Sequence, residues 1–307
     1  MITRYFKTVQ DTELKVVDEF RNGVWTHVVD PSDEEVAMLV TEYGLDEAIV
    51  EDARDFFEVP RMERSQGATY FFTRYPYDET DEDIDTAPLL IVMGESYVLT
   101  IALREVPQFA QFISGKQTIN TTQKAKFFIQ IMDALTNSFE SELVMLRKAV
   151  HRDRIKLRGI GPREIERLVN FENELNNMVA AVVPTNAWLN QVTSGNYMQL
   201  FNEDIELMED LMIANSQLVD SARQVLKTIQ NVRNASESIM TSKLNATIQT
   251  LTILTIILTV PTIVASLYGM NVPLPLADSA NAFWYVLGLI AFVVMSAIFL
   301  FKRNEWL

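Results

Sequence analysis

LNATIQTLTILTIILTVPTIVASLYGMN, residues Leu244–Asn271, is the stretch whose reading decides the fold. From Ala246 to Tyr268 it carries no charge. At about 1.5 Å of rise per residue it is long enough to cross a hydrocarbon core of roughly 30 Å, so it predicts a transmembrane helix. Between Leu251 and Leu267 the polar residues beginning at Thr252 are Thr255, Thr259, Thr262 and Ser266. Steps of three and four place them on one seam of a supercoiled helix. The same register runs back through Ile248, Asn245, Thr241, Ser238, Asn234 and Asn231, a polar row with Ile248 as its one bulky apolar member. Hydroxyls in membrane helices also bond back to their own i−4 carbonyls or serve helix packing, so the seam alone fits a packed interface and a hydrated pore equally.

The 41 Asp and Glu against 26 Lys and Arg leave a net charge of −15, which argues against nucleic acid as a partner. Beyond Leu244 the charges are Asp278, Lys302, Arg303 and Glu305, which cancel, so the whole excess precedes the membrane. With no cysteine there is neither a disulfide framework nor a thiolate metal site. The start, Met1–Lys7, lacks the apolar core of a signal peptide, and the N-terminal part is expected to stay on the side where it is made. His27 and His151 are the only histidines, and no phosphate-binding loop or His-Glu-x-x-His pattern is present, so no enzyme is expected.

Residues 1–121 read as an α+β domain, a mixed sheet with flanking helices. Strands are expected at Leu14–Phe20, Val24–Val29, Thr69–Tyr75, Leu89–Met93 and Tyr97–Ala102, with a hairpin at Gly94-Glu95-Ser96. Pro31-Ser32-Asp33-Glu34-Glu35 is a helix start, and a second short helix is expected over Asp46–Arg54. The acidic run Asp78–Asp85 reads as a solvated loop.

Residues 122–202 turn helical. Phe128, Ile131, Leu135, Phe139, Leu143 and Leu146 keep three- and four-residue spacing within Thr122–Arg158. A second helix runs from Pro162 to about Val183, where Pro184 is expected to break or bend it, and a short helix follows. From about Glu203 no glycine or proline intervenes before Pro261. A stalk helix over 203–243 should therefore continue into the membrane span at 244–271, on the order of 100 Å in all. So long a helix, with a polar seam and apolar flanks, suggests a bundle of like helices around a hydrated axis. After a loop at 272–282, residues 283–301 form a second apolar span, and 302–307 a basic tail. Lys243, Lys302 and Arg303 flank the spans and the loop has no Lys or Arg, so both termini are expected in the cytoplasm with Asn271 outside.

The end of the first span, Tyr268-Gly269-Met270-Asn271, resembles the signature of the CorA magnesium-channel family. Trp25 with Asp30-Pro31, then Tyr43-Gly44-Leu45, Glu51-Asp52-Ala53 and Pro60-Arg61-Met62-Glu63, are similar in order and spacing to that family's cytoplasmic domain, and Leu90–Thr100 to its following hairpin. The resemblance implies a multi-pass channel in the cell membrane, built as a homo-oligomer, a pentamer, in the lipid bilayer. It implies Mg²⁺ as cargo, with Co²⁺ or Ni²⁺ beside it. Gly269, Met270 and Asn271 would form the outer ion-binding ring, and the pore would pass Ser266, Thr262, Thr259, Thr255, Thr252 and Asn245. Ile248, or the adjacent Leu251, would make the hydrophobic gate, and Asn231 and Asn234 would line the cytoplasmic end. Asp52 and Asp210 would bind regulatory Mg²⁺ between subunits. Two departures stand out. The outer loop has Leu274-Pro275-Leu276-Ala277 where many relatives carry Met-Pro-Glu, and the cytoplasmic pore end carries amides where some relatives carry acids. A proton-coupled zinc transporter of the same superfamily and a membrane-anchored coiled-coil scaffold are the alternatives. A tether has no need of a periodic polar seam, and a zinc pathway more often shows His or Cys.

Overall fold

The computed structural model describes residues 1–78, 84–155, 162–193, 197, 198, 200–272, 275 and 281–303. They fall into two units, Met1–Val232 and Arg233–Leu307.

The first unit is built on a seven-stranded sheet: β1 (Ile2–Phe6), β2 (Lys15–Val16), β3 (Val24–Val29), β4 (Arg61–Ser65), β5 (Ala68–Asp78), β6 (Ile84–Met93) and β7 (Tyr97–Ala102). Their order is β2-β1-β3-β7-β6-β5-β4. β3 and β7 pair in parallel, with Trp25 opposite Val98, and the other pairs are antiparallel. Helices cover both faces, so the central strands are apolar on both sides and β7 is buried throughout. On one face α1 (Asp33–Tyr43) and α2 (Glu47–Asp52) pack against Val24, Val28, Tyr70, Phe72, Leu90 and Leu99. The opposite face carries Trp25, Phe71, Tyr75, Leu89, Ile91 and Val98, covered by α3 (Ala110–Ile113), α4 (Lys124–Ile155), α5 (Pro162–Val192) and the start of α6 (Asn202–Tyr268). A third cluster, with Phe139, Leu143 and Val150 of α4, Leu168 and Leu175 of α5, and Leu218, Val225 and Val232 of α6, makes a three-helix bundle.

The expected helix start is present as a reciprocal cap: Ser32 Oγ accepts from Glu35 N–H and Glu35 Oε2 from Ser32 N–H. Gly44 ends α1 at φ 63°, where a side chain would be strained. Two expectations are corrected. Leu14–Phe20 contributes only Lys15–Val16 to the sheet; Phe20 instead packs edge-on against Tyr43 and Tyr97. Pro184 does not break its helix, which continues to Val192. The proline costs one backbone hydrogen bond, but Ala181 and Val182 before it and Trp188, Leu189 and Val192 after it are buried in two clusters that hold the helix through. At the ends of the acidic run, Asp78 and Asp85 belong to β5 and β6, while residues 79–83 lie outside the described residues.

The second unit contains the remainder of α6 and α7 (Ala282–Arg303), both long and apolar enough to cross a membrane. Most of the connecting loop, including Leu274 and Leu276–Ala277 with Asp278, lies outside the described residues.

Candidate functional site

Within α6 two faces separate. Ile253 is buried, and Ile256, Ile257, Val260 and Val264 are half-buried at helical spacing. On α7 the matching half-buried stripe is Ala282, Val286, Ile290, Val293, Ala297 and Phe301. About 130° round α6 from Ile253 lies the polar seam, which a single chain leaves uncovered. Asn231, Asn234, Ser238, Thr241, Asn245, Ile248, Thr252, Thr255, Thr259, Thr262 and Ser266 are all exposed. Leu251, the alternative gate residue, is exposed as well. Within the second unit, Asn234 to Ser266 lie on one face of the helix.

Four of the hydroxyls on it are committed. Thr252 donates to Ile248 O, Thr255 to Leu251 O and Thr262 to Leu258 O, each at 2.8 Å, and Ser238 donates to Asn234 O at 2.9 Å. This is the i−4 back-bonding open to any serine or threonine on a helix, and Thr41, Ser141 and Thr228 of the first unit make it too. The α6 helix ends at the triplet: Gly269 N–H bonds Ala265 O at 2.9 Å and Met270 N–H bonds Leu267 O at 3.2 Å, leaving Asn271 exposed beyond the last turn. Tyr268 Oη donates to Pro275 O at 3.2 Å, fixing the start of the connecting loop to the helix end.

The two acids picked out for regulation lie in the first unit. Asp52, the last residue of α2, is exposed and its Oδ2 accepts from Arg61 Nη2 at 2.6 Å. The same guanidinium holds Glu58 and Glu63 and stacks 4.1 Å from the Phe72 ring centroid. Asp210 is exposed on α6. No cluster of three or more His, Asp or Glu residues able to hold a metal occurs among the described residues. Arg61 is thus the cation beside Asp52, and the alternation Arg61-Met62-Glu63, which on a strand puts cation and acid on one side, is its sequence signal.

A mixed-sheet unit joined by a long helix to two apolar spans, the first closing on Gly-Met-Asn, defines a membrane transport protein of the CorA type. Residues 21–303 match the model of the CorA-like Mg²⁺ transporter protein family, and the chain belongs to that family of divalent-cation transporters. The cobalt/magnesium transport protein CorA of Methanocaldococcus jannaschii is 26% identical over 295 residues, 92% of this chain and 91% of that one. The complete structure of the CorA magnesium transporter from the same organism matches with a TM-score of 0.87 at 23% identity, covering 100% of this chain and 99% of the other. The ZntB cytoplasmic domain from Vibrio parahaemolyticus matches at 0.65 with 8% identity, covering 78% and 98%. At these identities the structural likenesses establish the fold.

Proposed function

We propose that the chain assembles as a homopentamer in the cell membrane and conducts Mg²⁺ into the cytoplasm, with Co²⁺ and Ni²⁺ as secondary cargo. The observation that carries this reading is the exposed seam from Asn234 to Ser266 in the second unit, leading to Asn271. Two spans from one chain cannot enclose a path, but several copies presenting the same seam to a common axis can. Both termini lie in the cytoplasm and Asn271 outside, from the placement of Lys243, Lys302 and Arg303.

Mg²⁺ gives up its water reluctantly, so a wall of amides and hydroxyls without carboxylates handles it hydrated. The Gly269-Met270-Asn271 ring receives the ion, and Ser266, Thr262, Thr259, Thr255, Thr252 and Asn245 pass it along as weak sites in series. Ile248 or Leu251 narrows the path where water is least stable, and Asn231 and Asn234 release it. A potential of 100 mV contributes about 4.6 kcal/mol to a divalent ion, so no ATP is needed. Asp52 and Asp210 of neighbouring copies bind cytoplasmic Mg²⁺ and hold the closed state. Their exposed carboxylate oxygens, with no nitrogen or sulfur donor, suit a hard cation that keeps part of its water.

Asn271→Ala in liposomes tests the reading: Mg²⁺ flux is expected to vanish while the oligomer stays folded and assembled. Normal flux in that variant refutes the pore. The zinc alternative has the ZntB fold likeness behind it, but the seam holds no histidine or cysteine. Zn²⁺ flux exceeding Mg²⁺ flux under a proton gradient would favour it.

A further inference from the structure

The α4–α5 hairpin has a direction. Thr136 of α4 donates to Asn215 of α6 at 3.2 Å, and Asn186 of α5 to Ser216 of α6 at 3.0 Å. Before that level α4 contributes Ile129–Leu135 to the cluster containing Met208 and Leu211; after it, Phe139–Val150 join the cluster containing Leu218–Val232. α4 therefore runs parallel to α6 and α5 returns, which puts Val150 and Leu168 at the hairpin's far end, the end toward Val232.

That end reverses the charge of the molecule. Between Arg147 and Arg163 the sequence holds seven Lys and Arg against one acid, Asp153, in a chain of net −15. Arg147, Lys148 and Arg152 on α4 and Arg163 on α5 are exposed and make no ion pair among the described residues. Val144, Lys148 and Arg152 follow at four-residue steps on one face of α4, with Met145 beside them. Val144 and Met145 are exposed too, as is Val169 on α5. Unpaired cations interleaved with uncovered apolar side chains are what a helical surface presents to a bilayer interface, where long stems lie along the lipid and charged heads meet phosphate. The chain from Val232 to Ala246, the first residue of the uncharged span, is fourteen residues, about 21 Å at helical rise.

We propose that this end of the hairpin, through Arg147, Lys148, Arg152 and Arg163, docks on anionic lipid headgroups of the cytoplasmic leaflet. The inference uses the membrane topology proposed above and none of its claims about ion or gate. Each cation near an anionic surface contributes about fivefold to binding, an effect that fades within a screening length of about 8 Å at physiological salt.

The chain has no cysteine, so Met145→Cys gives one attachment point for a fluorophore on the full-length protein. The probe is lipid carrying a nitroxide on its headgroup, in nanodiscs of phosphatidylcholine with or without phosphatidylglycerol. Quenching is expected to be at least threefold stronger with phosphatidylglycerol. It should collapse at about 1 M salt, where the screening length is about 3 Å, and when Arg147, Lys148, Arg152 and Arg163 are all changed to Gln. Equal quenching in the two lipids, or quenching indifferent to salt, overturns the proposal. So does a label that ignores anionic lipid but responds to heparin, which would assign the surface to a soluble polyanion. The lipid and salt arms need no change to the four cations and decide the matter even if the quadruple variant misfolds. A Mg²⁺ flux assay on the same discs separates the outcomes: lost quenching with intact flux removes this surface and leaves the channel standing.

Discussion

Arg61→Gln is expected to make cytoplasmic Mg²⁺ a stronger inhibitor. Arg61 donates to Asp52 at 2.6 Å and holds Glu58 and Glu63 as well, so the carboxylate proposed for the regulatory ion already has a cation beside it. A Mg²⁺ bound by Asp52 would lie roughly 5 Å from that guanidinium. Charges of +2 and +1 at this separation repel by about 1.7 kcal/mol in bulk water, and a screening length of about 8 Å reduces this to about 1 kcal/mol. Removing the guanidinium should therefore lower the internal Mg²⁺ concentration for half-inhibition by about fivefold. Arg61→Met serves as a second variant, because it keeps an apolar chain against Phe72 where the arginine stacks. Flux into liposomes loaded with graded Mg²⁺ reads the midpoint. Asp52→Asn, alone and with Asp210→Asn, calibrates the assay, since both should raise it. If Asp52→Asn raises the midpoint while neither Arg61 variant lowers it, the electrostatic reasoning is refuted. If none of them moves it, regulation does not reside at these acids.

Two further outcomes are expected. Ile248→Ser should raise basal conductance in planar bilayers by wetting the apolar ring proposed there; unchanged conductance at low and high internal Mg²⁺ would move the gate to Leu251. His27 is buried beside Phe109 and Trp25 with Nδ1 2.9 Å from Thr100 Oγ1, and burial holds its pKa down at about 4 against an ordinary 6.5. The unfolded chain then takes up this proton first, so stability is full above about pH 6.5 and falls by about 3 kcal/mol as pH drops to about 4. Denaturant unfolding of His27→Gln over that range should show a shallower loss than the parent, and parallel curves would exclude His27 as the cause.

The sequence was most legible where one physical demand dominated. Two uncharged spans announce themselves because lipid tolerates little else, and Val24–Val29 and Tyr97–Ala102 read as strands because burial on both faces selects β-branched and aromatic residues. The edges were harder. Arg61–Ser65, an outer strand, carries two arginines and a glutamate, the composition that blunts an exposed edge and hides it from a hydrophobicity reading. Ile2–Phe6, with Arg4 in it and Lys7 directly after it, reads more weakly as a strand than Leu14–Phe20, although the pairing of Tyr5 with Trp25 makes it the inner neighbour. Pro184 misled because its cost is local, while the burial that outweighs it comes from residues far away in sequence. The setting of Arg61 against Asp52 was not legible, because it depends on how a strand and a helix from different places meet.

The back-bonded threonines bear on the sign of the ion. A hydroxyl that has given its proton to Ile248, Leu251 or Leu258 has only lone pairs left to offer. Water around a cation points its hydrogens outward and finds acceptors on such a wall; water around an anion points its oxygens outward and finds no donor. Thr252, Thr255 and Thr262 would then favour the water shell of a cation over that of an anion without a single formal charge in the span, and a passing Mg²⁺ would meet no fixed carboxylate deep enough to hold it.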